Sequence, residues 1–148
     1  MHKMRISLAL IIFTLITLQI RPVWGADNGG ADNGQKLLLE KSFPTESGER
    51  LKFNGYAGNV KICCWHKNEV KIKIYGSSEA GKYLNFVVSS DELGIRIAAL
   101  KKAGIENAMN LSLRYEISVP SDYYVKVSTG GNVIIEDQNG PVEISKNK

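Results

Sequence analysis

The chain has 148 residues, 43% of them hydrophobic, and a formal net charge of +4. Lys3, Arg5 and Arg21 lie in the first 25 positions, which hold no acidic residue, so the remainder has 16 basic residues against 15 acidic ones and a net charge of +1. A nearly neutral domain with charges interspersed along strands has no stripe of basic side chains for phosphates. The composition therefore predicts one small domain without a nucleic-acid partner.

The N-terminal 25 residues have the three parts of a secretory signal peptide. A basic start precedes an apolar run over residues 6–20, and residues 21–25 (Arg-Pro-Val-Trp-Gly) place small side chains before a cleavage point. An uncleaved membrane anchor fits less well, because the run of about 15 residues is shorter than the roughly 20 that span a bilayer core. We expect a signal peptide over residues 1–25 and an exported chain, periplasmic, secreted or in the cell envelope, with no transmembrane segment after cleavage.

Residues 26–35 predict a flexible tether. They contain Ala-Asp-Asn-Gly twice, separated by Gly30, and no apolar residue larger than alanine. Glycine, asparagine and aspartate favour turns and open conformations, so this segment cannot bury a core. The folded domain is therefore expected over residues 36–148.

A short phrase occurs twice in that domain. Residues 58–62 read Gly-Asn-Val-Lys-Ile, and residues 131–135 read Gly-Asn-Val-Ile-Ile. Each copy is followed about nine or ten residues later by a second alternating run, over residues 70–74 and 142–144. The pattern predicts a repeated unit of strand, turn and strand.

Apolar residues alternate with polar ones almost throughout residues 53–144. Turn-forming pairs such as Asn54-Gly55 and Asn139-Gly140 separate the runs at roughly ten-residue intervals. Helix is a weak alternative, limited to residues 79–80 and 101–110, and the second stretch favours a long loop. The sequence thus predicts an all-β fold, a β-solenoid-like or sandwich domain built from short strand-turn-strand repeats. The positions expected to face the core are Phe53, Val60, Ile62, Cys64, Val70, Ile72, Ile74, Leu84, Phe86, Val88, Leu93, Ile95, Ile97, Leu111, Leu113, Tyr115, Ile117, Val119, Val125, Val127, Val133, Ile135, Val142 and Ile144.

Several of these phrases together resemble a known family. Residues 119–121 (Val-Pro-Ser), 125–129 (Val-Lys-Val-Ser-Thr), 131–133 and 139–144 (Asn-Gly-Pro-Val-Glu-Ile) look like the repeat of the bacterial putative-adhesin family of β-strand-repeat envelope proteins. Residues 58–62, with Trp65 and residues 69–72, resemble the first unit of that family. The resemblance implies an exported β-solenoid-like or sandwich domain with no established catalysis. It also implies further copies after residue 144, so we expect a truncated repeat array.

Cys63, Cys64 and His66 belong to the locally unusual stretch Cys-Cys-Trp-His. Alternation puts Cys64 on the face of Val60 and Ile62 and Cys63 on the other face, so the thiols are expected to point apart. In an oxidising compartment they could serve as a redox pair, as an intermolecular disulfide through Cys63, or as a soft-metal site with His66. A metal site usually takes three or four ligands, and this spacing supplies too few on one side. Simple packing of the thiols is the preferred interpretation.

Motifs for catalysis and nucleotide binding are incomplete. Residues 76–82 have phosphate-loop spacing up to Lys82, but Tyr83 replaces the hydroxyl that would bind magnesium, and a strand follows where a helix is needed. There is no Gly-x-Ser-x-Gly motif, and the adjacent carboxylates at 91–92 and 136–137 face opposite sides of their strands. The sequence predicts a protein that is not an enzyme, has no cofactor and binds no nucleotide.

The favoured function is a non-enzymatic cell-envelope protein, an adhesin-like binding or structural module whose ligand is an envelope or surface protein or glycan. Contact is expected at an exposed strand face or edge, where aromatic side chains supply contact area at low entropic cost. The predicted contact residues are Tyr56, Trp65, Tyr123 and Tyr124. The competing hypothesis is a small redox or metal-binding protein that uses Cys63, Cys64 and His66.

Overall fold

The computed structural model describes residues 34–105 and 111–147. The alternating, β-branched composition of these stretches favours extended backbone. Within the described residues there are ten strands and one four-residue helix, which confirms the predicted all-β fold. The strands are β1 (Lys36–Pro44), β2 (Arg50–Asn54), β3 (Asn59–Trp65), β4 (Glu69–Gly76), β5 (Leu84–Asp91), β6 (Gly94–Lys101), β7 (Arg114–Pro120), β8 (Tyr124–Thr129), β9 (Val133–Glu136) and β10 (Val142–Lys146), and the helix is α1 (Ala80–Tyr83).

Three predictions from the sequence fall wholly or partly outside the described residues. These are the signal peptide over residues 1–25, most of the tether, and residues 106–110 of the predicted long loop. In the described part of the chain, no helix has the length and apolar composition required to cross a bilayer.

The strands form two five-stranded sheets that pack as a sandwich. The first sheet has the order β1-β4-β7-β3-β9 and the second has the order β10-β8-β2-β6-β5. β3 is parallel to β7 and β9, β2 is parallel to β6 and β8, and β8 is parallel to β10. The pairs β1–β4, β4–β7 and β5–β6 are antiparallel. Because β2 and β3, β6 and β7, and β8 and β9 alternate between sheets, the chain winds around the core as in a solenoid.

The inward faces of the two sheets share one hydrophobic core. Phe53 on β2 packs edge-on against Tyr115 on β7, with ring centroids 4.7 Å apart and planes at 72°. Fully buried side chains from both sheets, including Ile62 and Val127, belong to the same cluster. Burial raises the pKa of the Tyr115 phenol, whose hydroxyl has no hydrogen-bond partner among the described residues. Removal of this apolar surface from water is the main stabilising contribution to the fold.

The repeated Gly-Asn-Val phrase marks two neighbouring parallel strands, β3 and β9. The Val60 N–H donates to the Asn132 carbonyl over 2.8 Å, and the Asn132 N–H donates to Asn59 Oδ1 over 3.3 Å. A Cβ placed on Gly131 would lie 2.0 Å from the carbonyl oxygen of Gly58. The two copies are therefore stacked turns, and only glycine permits their close approach.

The two copies do not begin equivalent units, in contrast to the predicted repeat. β3 is followed by β4 in the same sheet, with β7 between them, whereas β9 is followed by β10 in the other sheet. The short Gly-Asn-Val sequence specifies only a turn and the strand that follows the turn. The sheet that the next strand joins depends on pairing with distant strands, which the phrase does not encode.

β1 is a strand that the alternation does not predict, because Leu37-Leu38-Leu39 is a continuous apolar run. A register shift between Leu37 and Leu39 in the pairing with β4 accommodates this run. Leu93 also departs from expectation: it is 50% exposed in the turn between β5 and β6 instead of facing the core. Both departures occur where local backbone irregularity breaks the period of two.

Gly131→Ala should lower the free energy of unfolding by about 1–3 kcal/mol, because the new methyl group meets backbone atoms of Gly58. Gly81→Ala is the matched control: nothing lies within 4 Å of a Cβ on Gly81, so the change should be neutral or stabilising by up to about 1 kcal/mol. Urea denaturation measures both values. Equal stability of the two variants would contradict the stacked-turn interpretation.

Candidate contact surface

The four predicted contact residues lie at two ends of the sandwich. Tyr124 begins β8 beside the start of the parallel strand β2, whereas Tyr56 follows the end of β2. Trp65 ends β3 opposite Pro120, whose carbonyl accepts the Tyr123 N–H over 3.2 Å. The structure therefore brings Trp65 to the end that holds Tyr123 and Tyr124, and leaves Tyr56 at the other.

Tyr123 is fully buried, so its prediction as an exposed contact residue is wrong. Its hydroxyl is hydrogen-bonded to Thr45 and lies 3.0 Å from Glu49 Oε2. Burial raises the pKa of Tyr123 to about 12, and Glu49 adds to the rise. The phenol therefore stays protonated at neutral pH and joins the segment between β1 and β2 to the start of β8.

Further polar contacts hold the loops at this end together. Ser47 donates to Asp122, and the side-chain amide of Gln138 donates to the Tyr123 carbonyl. These contacts connect the loops before β2, before β8 and after β9. These polar side chains are used inside the protein, where they hold the loops of this end together.

Trp65 and Tyr124 are half-buried and already have partners. Trp65 Nε1 donates to the Glu69 carbonyl over 2.7 Å, and Lys67 Nζ lies 4.8 Å from the centroid of the indole ring. The Tyr124 hydroxyl donates to Glu143 Oε2 over 2.6 Å. Tyr124 thus holds β10 in place. Because Trp65 and Tyr124 already have these partners within the protein, both rings have less surface left for a contact with a ligand.

A cleft of about 360 Å³ lies beside Tyr56 at the opposite end. Gln35, Asn59 and Ser112 contribute to its walls, and the lining residues that belong to the described part of the chain carry no charge. Lys101 Nζ lies over the Tyr56 ring, 5.1 Å from its centroid. The sequence did not reveal this cleft because its walls come from distant segments.

Cys63 and Cys64 have different surroundings, as the alternation predicts. Cys64 packs against the core and its Sγ donates to Gln138 Oε1 over 2.6 Å, whereas Cys63 Sγ donates to Glu136 Oε2 over 3.4 Å. His66 is exposed in the turn after β3. Residues 34–105 and 111–147 contain no group of three or more His, Cys, Asp or Glu placed to hold a metal ion.

Both thiols are held in the protonated form. Burial raises the pKa of Cys63, and the hydrogen bond to Glu136 raises it further. Burial also raises the pKa of Cys64 to about 11, with added contributions from Cys63 and Asp137. Because the thiolate is the nucleophile and the metal ligand, these shifts disfavour the redox and metal hypothesis.

The last strands of the two sheets, β9 and β10, form what we call the open edge. In the described part of the chain, no strand pairs with the outer side of either one. Ile134, on the outward face of β9, is 56% exposed. Large exposed apolar side chains at an unpaired edge are a recognised site for strand addition.

Val142 and Ile144 of β10 were expected in the core, and this prediction is wrong. They pair with Val125 and Val127, which are fully buried. Residues paired across a parallel ladder point to the same face of the sheet, so Val142 and Ile144 also face inward. They are nevertheless 44% and 51% exposed, because no described strand lies beyond β10 to cover them.

The same strand presents unpaired backbone groups. The Val125 N–H donates to the Pro141 carbonyl over 2.9 Å, and the Asn147 N–H donates to the Thr129 carbonyl over 3.3 Å. Alternate residues of a strand direct their backbone groups to the same neighbour, so residues 141, 143, 145 and 147 face β8. The N–H and C=O groups of residues 142, 144 and 146 consequently point outward.

No protein-family model matches the chain, and no curated protein sequence matches it. A putative cell adhesion protein from Clostridium sporogenes has a similar structure, with a TM-score of 0.50 and 16% identity over 75% of this chain and 57% of that protein. A putative adhesin from Bacteroides fragilis gives a TM-score of 0.47 and 13% identity over 75% and 50% of the two chains. The chain thus spans little more than half of either protein, and the first likeness supports the predicted putative-adhesin-like fold.

The two buried tyrosines should respond oppositely to loss of their hydroxyl groups. Tyr123→Phe should lower the free energy of unfolding by about 1–3 kcal/mol, because it removes the phenol's hydrogen bonds to Thr45 and Glu49, which keep only the hydrogen bond between them. Tyr115→Phe should raise it by about 1 kcal/mol, because it removes a buried hydroxyl without a described partner. Urea denaturation tests the pair, and a shift of the same sign in both variants would contradict these assignments.

The thiols should react slowly at neutral pH. A pKa of about 11 for Cys64, against an ordinary 9.0, leaves about 100-fold less thiolate at pH 8. The rate of alkylation by iodoacetamide should therefore rise with pH to a midpoint near 11 for Cys64 and above 9 for Cys63. The urea-unfolded chain, which should show ordinary midpoints, is the control. A midpoint below 9 in the folded protein would restore the redox hypothesis.

Proposed function

We propose that this protein is an exported, non-enzymatic binding or structural module of the cell envelope, which contacts its protein or glycan ligand along the open edge. Residues 1–25 act as its signal peptide and residues 26–35 as its tether, as their composition indicates. The solved structure with a TM-score of 0.50 is named a putative cell adhesion protein, which is consistent with binding as the activity.

The observation that carries the proposal is that, within the described residues, inward-facing apolar side chains are exposed at one edge only. At the other edge of the same sheet, the inward residues Phe86 and Val88 of β5 are half-buried and pack against the core. The exposed side chain of that strand, Val87, alternates with them and faces outward. At β10, by contrast, Val142 and Ile144 continue the core and remain exposed. A ligand that covers them gains hydrophobic free energy without reorganising the fold.

Tyr124 has a supporting role in this proposal. Its hydroxyl and Lys126 Nζ both contact the carboxylate of Glu143, at 2.6 and 2.7 Å. Glu143 lies in the middle of β10, so these contacts keep the edge strand in its register with β8. In this proposal Tyr124 does not touch the ligand itself, as the sequence predicted, but holds β10, the strand that contacts the ligand.

The double substitution Val142→Thr/Ile144→Thr should reduce the envelope-bound fraction at least about fivefold. The two half-exposed side chains then offer a ligand less apolar area. Threonine keeps the β-propensity of the strand. The full chain is expressed in a bacterial host, the cells are fractionated, and the intact mass of the exported protein is measured. That mass should correspond to a chain that begins at Ala26.

The matched control replaces Val87 of the far edge strand β5 and Leu100 of its neighbour β6 with threonine, since both residues are 48% exposed. The envelope-bound fraction of this control should equal that of the unmodified protein. The melting temperatures of both variants should stay within a few degrees of the melting temperature of the unmodified protein. Equal binding by the two variants would refute the open edge as the contact surface.

A further inference from the structure

The outward face of the second sheet carries a row of positive charges. Lys52, in the middle of β2, lies opposite Arg96 on β6 and opposite Lys126 on β8. These three side chains alternate with buried residues along their strands, so they point away from the core. Because the three residues are far apart in the chain, the sequence does not show the row, and only the formation of the sheet assembles it.

Such a row works against the stability of the sheet. Like charges on neighbouring strands repel, whereas opposite charges in the same positions attract. The outward face of the first sheet follows the favourable arrangement, since Lys73 on β4 lies opposite Glu40 on β1 and opposite Glu116 on β7. The row centred on Lys52 departs from this arrangement, and such departures are expected at functional sites.

The centre of the row has no counter-ion. Lys126, at one end, is paired with Glu143 over 2.7 Å. Lys52 makes no ion pair within the described residues. The same is true of Arg50, which lies two positions earlier on the same outward face of β2. Two neighbouring cations of β2 therefore remain uncompensated in this part of the chain.

A depression of about 110 Å³ lies beside these two cations. Arg50, Lys52 and Arg96 line it, together with Asp91 and Leu93. Arg96 Nη2 lies 2.9 Å from Asp91 Oδ2, and the Leu93 N–H donates to Asp91 Oδ1 over 2.9 Å. Both oxygens of this carboxylate are engaged, so Asp91 holds Arg96 and the turn between β5 and β6 in position beside the depression.

The charge of the depression matches that of a phosphate monoester. Arg50, Lys52 and Arg96 contribute three positive charges and Asp91 one negative charge, which leaves a net charge of +2. A phosphate monoester carries a charge of about −1.5 to −2 at pH 7 and has three acceptor oxygens. Guanidinium groups donate in pairs to phosphate oxygens, and an ammonium group adds a compact charge. The depression is also far smaller than the roughly 300–1,000 Å³ of pockets for larger ligands, so it suits one small group.

Leu93 supplies an apolar contact at the same place. Its side chain is 50% exposed on the wall of the depression, where it can pack against the carbon atoms next to a bound phosphate. An extended polyanion fits less well, because the carboxylates of Asp91 and Glu143 lie at the two ends of the row and would repel it. A single phosphate on a small organic group is therefore the ligand that fits.

We propose that Arg50, Lys52 and Arg96 bind the phosphate group of an organic phosphate monoester, with Leu93 against its carbon part. The site lies on the outward face of the second sheet, apart from the inward side chains of the open edge, so it does not depend on the proposed function. The bound anion relieves the repulsion within the row, and binding therefore also stabilises the fold. A phosphorylated sugar and a lipid headgroup both offer this chemistry.

The test titrates the exported protein with glucose 6-phosphate and with glucuronate in phosphate-free buffer, followed by nitrogen-15 spectra. Glucose 6-phosphate should bind at least about fivefold more tightly, because it carries nearly twice the charge. Its largest amide shifts should fall in residues 50–52 and 91–96. Lys52→Gln should weaken this binding at least about fivefold. The same variant should be at least as stable as the unmodified protein without ligand, because a repelling charge is removed.

Lys73→Gln is the matched control, because it removes the same charge from the first sheet, where the lysine lies between Glu40 and Glu116. It should bind glucose 6-phosphate as tightly as the unmodified protein does.

A second arm uses phosphatidylcholine vesicles with and without phosphatidic acid to find the source of the phosphate. Sedimentation of the protein only with phosphatidic acid, abolished by Lys52→Gln, would support the site and identify a lipid headgroup. Binding of glucose 6-phosphate without sedimentation would support the site and identify a phosphorylated sugar.

Three results would overturn the inference. Equal affinity for glucose 6-phosphate and glucuronate would show that the depression does not select a phosphate. Equal loss of affinity in Lys52→Gln and Lys73→Gln would show that only the net charge of the protein acts. Failure to bind glucose 6-phosphate and phosphatidic acid vesicles would show that the row has no phosphate ligand. Val142→Thr/Ile144→Thr should leave the binding of glucose 6-phosphate unchanged, so a failure of the open edge is distinguishable from a failure of this site.

Discussion

The close approach of β3 and β9 at Gly58 and Gly131 is the constraint that places the rest of the C-terminal half. Thr129, the last residue of β8, donates from its hydroxyl to the Gly58 carbonyl and accepts the Gly131 N–H, both over 3.3 Å. One buried side chain thus ties the end of the second sheet to the turn that enters the first. Because β9 can pair with β3 only if these turns stack, their contact also sets the register of β9 on β3.

The opposite end of the sandwich is held by polar groups. The buried phenol of Tyr123 contacts Thr45 and Glu49, so a segment near the start of the domain is bound to the start of β8. A buried hydroxyl contributes to stability only when its lost hydrogen bonds to water are replaced. The contrast with Tyr115, whose hydroxyl has no described partner, shows that tyrosines of equal burial serve different purposes. One connects loops and the other fills volume.

The winding of the chain explains why the proposed contact surface lies at β9 and β10. In a sandwich of parallel strands, each new pair of strands covers the inward residues of the pair before it, and no further pair covers β9 and β10 within the described residues. The exposed inward face is therefore an extension of the core, with the register already set by β8 and β3. The contacts that build the core therefore also present Val142 and Ile144, the side chains on which the proposed binding rests.

The sequence by itself determined the local structure: the period of two, the turns, and the different surroundings of Cys63 and Cys64. These depend on neighbours along the chain, where sterics and side-chain alternation act directly. Tertiary structure alone decided which strands pair in parallel, that Tyr123 is buried, and that Val142 is exposed while its equivalent Val125 is not. Both valines have the same local pattern, so the alternation predicts the same burial for each. Burial depends on whether another strand lies alongside, and that is set by contacts between residues far apart in the chain.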